Sequence, residues 1–202
     1  MSGQDIRTSF DQLLSALADI FEQEGREGGS LAATALRDSQ SKTYRRTVAT
    51  CDPGPILEVA CALPDASQMT THIIACRPMI DWANWEGEGL HKEISSRLFT
   101  TELVGLDGHI PAEQVRVGLL VSDIDTDYPI SSHSGEETYL VLAGLADWTV
   151  GGTPYVTKPP GTLIHHPAWV PHGRRTNDQP FLGAWRWSGD LDVSSFSVAE
   201  VS

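Results

Sequence analysis

The chain has 202 residues, enough to bury one sizeable core and nothing that demands a second. Its 27 acidic against 14 basic residues give a formal net charge of −13, which repels polyanions and sets aside nucleic acid and anionic membrane surfaces as partners. No run approaches the roughly 20 apolar residues that span a bilayer, and MSGQDIRTSFDQLL lacks a basic start followed by an apolar core, so a cytoplasmic protein is expected.

In chain order, Phe10, Leu13, Leu14, Leu17, Ile20 and Phe21 recur at helical spacing, with Ser9 and Gln12 as a capping box. Gly25, Gly28 and Gly29 end that helix, and Ser30 to about Arg46 forms a second, with Leu31, Ala35 and Leu36 on its apolar face. The odd-numbered set Cys51, Cys61 and Cys76 has no C-x-x-C spacing, so buried, inert thiols are expected rather than disulfides or a thiolate metal site. Pro55 opens a short helix that Pro64 stops, and Thr70 to Trp85 is read as helical, interrupted at Pro78. Residues 1–90 are therefore expected to form a helical region.

From about Leu98 the period changes. LFTTELVG, VRVGLLVSD, ETYLVLAG, ADWTV, PYVTK, GTLIHH and FLGAWRW are short, β-rich and separated by turn residues, as in a sandwich or barrel. Helices first and strands last imply an α+β, mainly β single domain over 1–202, with the helical region packed on a barrel over 95–202.

Two stretches carry the chemistry. In YPISSHSGEETYLVLAG, read as an extended strand from Tyr128 to Gly144, His133, Glu137 and Tyr139 project to one side as potential metal ligands. PPGTLIHHPAWVPHG adds His172 as a fourth. Imidazole and carboxylate suit a divalent first-row ion (Zn, Fe, Mn, Co or Ni), and three such ligands leave positions open for substrate. Only one of the adjacent His165 and His166 can face the interior; His166 shares parity with His172 and is a candidate substrate contact or a support behind a metal ligand. Trp169, Trp185 and Trp187 offer aromatic faces to a cation, and Arg174 and Arg175 read as a solvated pair, either of which could steer a carboxylate.

A His and a Glu before a glycine turn, then P-x-G and a later His, resemble the paired motifs of cupins, whose fold is a jelly-roll barrel. EETYLVLAGLADW, PPGTLIHHPAW-x-PH and WSGDLD resemble, more narrowly, the cupin-type dimethylsulfoniopropionate (DMSP) lyases. That resemblance implies a metal-dependent β-elimination giving dimethyl sulfide and acrylate from a small zwitterionic carboxylate, with Tyr128 and Tyr139 as catalytic tyrosines. One position departs from the pattern: where cupins carry the first His of H-x-H, this chain has Ser131. Tyr139 or water then completes the metal shell. A cupin dioxygenase or isomerase on another small carboxylate, and a non-catalytic metal- or ligand-binding cupin, are the alternatives. A monomer or homodimer is expected.

Overall fold

The computed structural model describes residues 2–199. The N-terminal region contains α1 (Gly3–Glu22), α2 (Glu27–Ser39), α3 (Gly54–Cys61) and α4 (Met69–Cys76), with a four-residue α5 (Lys92–Ser95) before the barrel. The first strand, β1 (Ala83–Asn84), precedes α5; β2 (Leu98–Gly105), β3 (Ile110–Pro111), β4 (Arg116–Ser122), β5 (Asp127–Ser132) and β6 (Gly135–Ala143) follow. The remaining strands are β7 (Ala146–Val150), β8 (Val156–Lys158), β9 (Leu163–His166), β10 (His172–Thr176), β11 (Phe181–Gly189) and β12 (Ser197–Val198). A seven-stranded sheet runs β1-β2-β4-β11-β6-β9, with β3 beside β2, and a five-stranded sheet runs β12-β5-β10-β7-β8. Together they form the expected cupin-type α+β barrel.

Alternation along β6 shows why the larger sheet is buried on both faces. Glu137, Tyr139 and Val141 face the barrel interior, whereas Leu140 and Leu142 join Phe10, Leu14, Leu17 and Leu36 in one core shared with the helices. Gly144 makes the turn out of β6 at φ 74°, where an added Cβ would lie 2.0 Å from the Pro180 carbonyl oxygen, so only glycine fits.

Several local expectations give way. The capping box of α1 is Ser2 with Asp5, not Ser9 with Gln12; Ser9 lies inside the helix, where its hydroxyl donates to the Asp5 carbonyl at 3.1 Å. Helix α2 begins at Glu27 and stops at Ser39, because Gln40 turns extended and Ser41 takes φ 62°. Gly28 and Gly29 are thus inside that helix rather than ending α1. An added Cβ on Gly28 would meet the Arg186 Nη1 at 2.4 Å, so glycine lets the helix approach the sheet. Beyond Pro78 the chain does not resume a helix. It turns extended, and Ala83–Asn84 pairs with β2. The three thiols are free; Cys76 is buried and pushed up by burial to about 12, while Cys51 and Cys61 are half-buried.

Helices and barrel are fastened by a buried ion pair. Arg186 on β11 is wholly buried and its Nε donates to Glu24, just past α1, at 3.0 Å; the Thr138 hydroxyl of β6 donates to the same carboxylate at 2.7 Å. Glu24→Ala leaves that buried guanidinium with Glu136 as its one remaining carboxylate and is expected to cost about 3 kcal/mol, read as a lower urea midpoint at unchanged slope. A loss below about 1 kcal/mol, the range of surface pairs, would show that the pair is not the fastener.

Candidate metal centre and cavity

Strand register builds the site. In the larger sheet His166, Glu137 and Trp187 form one cross-strand row on β9, β6 and β11, and Ile164, Tyr139 and Trp185 form the next. In the facing sheet the corresponding rows are Ser131, His172 and Val150, then Tyr128, Arg174 and Trp148, on β5, β10 and β7. The two sheets meet where His172 Nε2 comes within 3.8 Å of Glu137 Oε2.

His133 arrives differently from the sequence expectation. Tyr128 to Gly144 is not one strand: β5 ends at Ser132, His133 and Ser134 form the link, and β6 starts in the other sheet at Gly135. The link still delivers the imidazole, with Nε2 3.4 Å from Glu137 Oε2 and the ring stacked on Trp187 at 4.2 Å. His133, Glu137 and His172, all buried, present ligand atoms within 4.8 Å of one another.

The hydrogen bonds around this triad fit a cation. His133 Nδ1 lies 2.9 Å from the Gly135 carbonyl and His172 Nδ1 2.9 Å from the Val170 carbonyl. Carbonyls only accept, so each Nδ1 carries a proton, and in the neutral ring each Nε2 turns a lone pair toward Glu137. Burial, followed by the charge of His166, pulls His172 down to about 3, so that ring is neutral. Lone pairs facing a carboxylate repel unless a positive charge sits among them. Burial works against ionisation of Glu137, but the His133 and His166 imidazoles beside it, the latter bonded to Oε2 through Nδ1, outweigh that and hold the carboxyl well below the usual range. Ser131 Oγ and His166 Nε2 are both buried without a partner, two orphaned polar atoms beside the triad.

The triad opens on a cavity of about 230 Å³ lined also by Tyr128, Tyr139, Arg174, Trp148, Trp185 and Trp187. That is below the roughly 300–1,000 Å³ of pockets for drug-sized ligands, so a small occupant is implied. Both candidate tyrosines reach it. The Tyr128 hydroxyl accepts from Trp85 Nε1 at 3.1 Å. Burial pushes both hydroxyls up; the Glu137 charge pushes the same way, while the Arg174 guanidinium, 5.4 and 5.6 Å from the two ring centroids, acts oppositely.

His166 faces the cavity and His165 the helices, as parity required, and His166 Nδ1 bonds Glu137 Oε2 at 3.1 Å, orienting that carboxylate. Two expectations change here. Trp169 does not join Trp185 and Trp187. Its ring is 59% exposed and its backbone takes φ 63°, with its N–H donating to the His133 carbonyl at 2.8 Å. It steadies the backbone of His133 instead of offering a ring to the cavity. Arg174 and Arg175 prove not to be a solvated pair: Arg175 pairs with Asp127 at the surface, whereas Arg174 is 3% exposed inside the barrel. Trp85 and Trp148 were not anticipated, because a lone tryptophan has no spacing signal.

The sequence profile of the dimethylsulfoniopropionate lyase family matches residues 30–183. The chain belongs to that family of carbon–sulfur lyases. It is 28% identical over 191 residues to the dimethylsulfoniopropionate lyase DddQ of Ruegeria pomeroyi, covering 92% of each chain. The crystal structure of that DddQ superposes with a TM-score of 0.73 at 26% identity, over 95% of this chain and 96% of the other. A structure from a study of the DMSP lyases RdDddP and RnDddQII superposes at 0.72 with 22% identity, over 96% of this chain and all of that one, a likeness of fold. No helix among the described residues is long and apolar enough to cross a membrane.

Proposed function

We propose that this lyase cleaves dimethylsulfoniopropionate to dimethyl sulfide and acrylate, with His133, Glu137 and His172 holding a divalent first-row metal ion. The observation that carries the reading is the meeting of this buried triad with Tyr128 and Tyr139 on one small cavity, in a chain of this family. Bound there, the ion would act as a Lewis acid that disperses charge on the substrate's carboxylate as its α-proton leaves.

The chain's own residues do the rest. A tyrosinate, at Tyr128 or Tyr139, takes the α-proton; the C–H electron pair becomes the α–β double bond, and the C–S bond breaks with its pair going to sulfur. Neutral dimethyl sulfide and acrylate remain, and the tyrosine returns its proton to solvent. His166 keeps Glu137 oriented throughout, and the stacked Trp187 keeps His133 in place. Close-packed aromatics around the cavity exclude water from the developing carbanion.

Metal-reconstituted protein mixed with DMSP is expected to release dimethyl sulfide and acrylate in equal amounts without oxygen uptake, measured in the headspace and by chromatography. Because burial raises both tyrosines and the reaction needs one ionised, kcat is expected to rise from pH 6 to pH 9. Oxygen consumption, or no acrylate from fully metallated protein, would overturn the proposal.

A further inference from the structure

Arg174 is held inside the barrel in a way that its neighbours do not explain. The other two buried arginines have carboxylate partners, Arg116 on Glu102 at 2.7 Å and Arg186 on Glu24. Among the described residues Arg174 has none; its hydrogen bonding comes to Ser122 Oγ at 3.5 Å. Four aromatic faces surround it instead, with the guanidinium carbon 4.9 Å from the Phe181 ring centroid, 5.2 Å from Trp148, 5.4 Å from Tyr128 and 5.6 Å from Tyr139. Ring faces stabilise the cation and explain how it folds without an anion, but they do not take up its five N–H donors. A buried guanidinium with donors left over is a binding site for a planar anion.

The cavity has a direction that matches. Around Arg174 the neighbours are the buried Trp148 and Phe181, whereas Val193 and Asp107, which also line the cavity, are exposed. The unpaired positive charge therefore sits among the buried walls, with the face of Trp185 toward the mouth, where Arg116 is paired with Glu102 and Asp107. We infer that Arg174 binds a carboxylate oxygen of the substrate at the inner end of the cavity, leaving the substrate's cationic group toward Trp185 and the mouth. The orientation rests on the lyase reading for the identity of the zwitterion; the carboxylate site itself does not. With one carboxylate oxygen on Arg174, the α-carbon is held beside Tyr128 and Tyr139, whose rings flank the guanidinium.

Two small ligands separate the ends: propionate, a carboxylate without a cation, and dimethylpropylsulfonium, a cation without a carboxylate. Binding to the full-length protein as purified is read from tryptophan fluorescence. In Arg174→Met the Kd for propionate is expected to rise about tenfold or more, as for loss of a charge-assisted hydrogen bond. Dimethylpropylsulfonium affinity should hold, which also reports that the variant is folded. Arg174→Gln, which keeps donors but no charge, decides the matter by the same two titrations if the methionine variant does not fold. Unchanged propionate affinity in the folded variant overturns the inference. Acrylate formation by wild-type protein together with that result would leave the lyase reading standing, whereas propionate binding lost with Arg174 but no acrylate from wild-type protein would sink the lyase reading alone.

Discussion

Glu137→Gln is expected to lower metal affinity by more than about a hundredfold, beyond the 10–100-fold typical of removing an outer partner of a ligand, and to take acrylate formation with it. Glu137 is the anion of the triad. Its Oε2 lies 3.1 Å from His166 Nδ1, 3.4 Å from His133 Nε2 and 3.8 Å from His172 Nε2, so one oxygen is the meeting point of three imidazoles. Glutamine has nearly the same shape but leaves His133 and His172 to hold a divalent ion with no compensating charge, in a site where burial makes an uncompensated charge expensive. Competition with a metallochromic chelator measures the affinity. Glu136→Gln is the control: that side chain points away from the cavity and pairs with Arg186 at 2.9 Å, so metal affinity should not change. If the Glu137 variant holds the ion as tightly as wild-type protein, the ion binds elsewhere.

How much of this could be read from residues alone depended on whether the deciding interaction was local. Alternation in β6 assigned Glu137 and Tyr139 to one face correctly, because a strand's period is set by its backbone and the glycine turn at Gly144 ended it on cue. The same parity extended to His133 reached a residue that lies in the link between two sheets, and the ligand arrived there through a change of sheet that alternation does not encode. Arg174 shows the converse. HGRRT carries no β-branched or aromatic signal before Thr176, so it did not read as a strand; once β10 is recognised, His172 and Arg174 share a face and the buried cation follows. The helix ends failed for another reason. Gly28 and Gly29 look like terminators, but tertiary packing against Arg186 overrides their low helix propensity, and that contact joins residues far apart in sequence. Trp169 was read by composition, and its left-handed backbone, fixed by a hydrogen bond to His133, turns the ring outward.

The two tyrosines separate by what happens to the metal when each loses its hydroxyl. Both Tyr128→Phe and Tyr139→Phe are expected to lower kcat by about 10²–10⁴, the range for loss of a general base, since each keeps the ring and removes only the oxygen. Tyr139 stands two residues beyond Glu137 on the same face, in the row next to the triad, so with the proposed ion on that triad Tyr139→Phe should also weaken metal binding. Tyr128 stands on the opposite sheet with its oxygen accepting the Trp85 N–H, a contact that favours the ionised form over the neutral one, while the Arg174 guanidinium lies beside both rings. Tyr128→Phe should therefore show that fall in kcat at full metal occupancy, with a stability cost of only about 1 kcal/mol for the unpaired indole N–H. That pattern would assign proton abstraction to Tyr128 and leave Tyr139 beside the ion. The reverse pattern, with metal lost from the Tyr128 variant and retained in the Tyr139 variant, would exchange the two roles, and wild-type rates in both would remove tyrosine from the reaction.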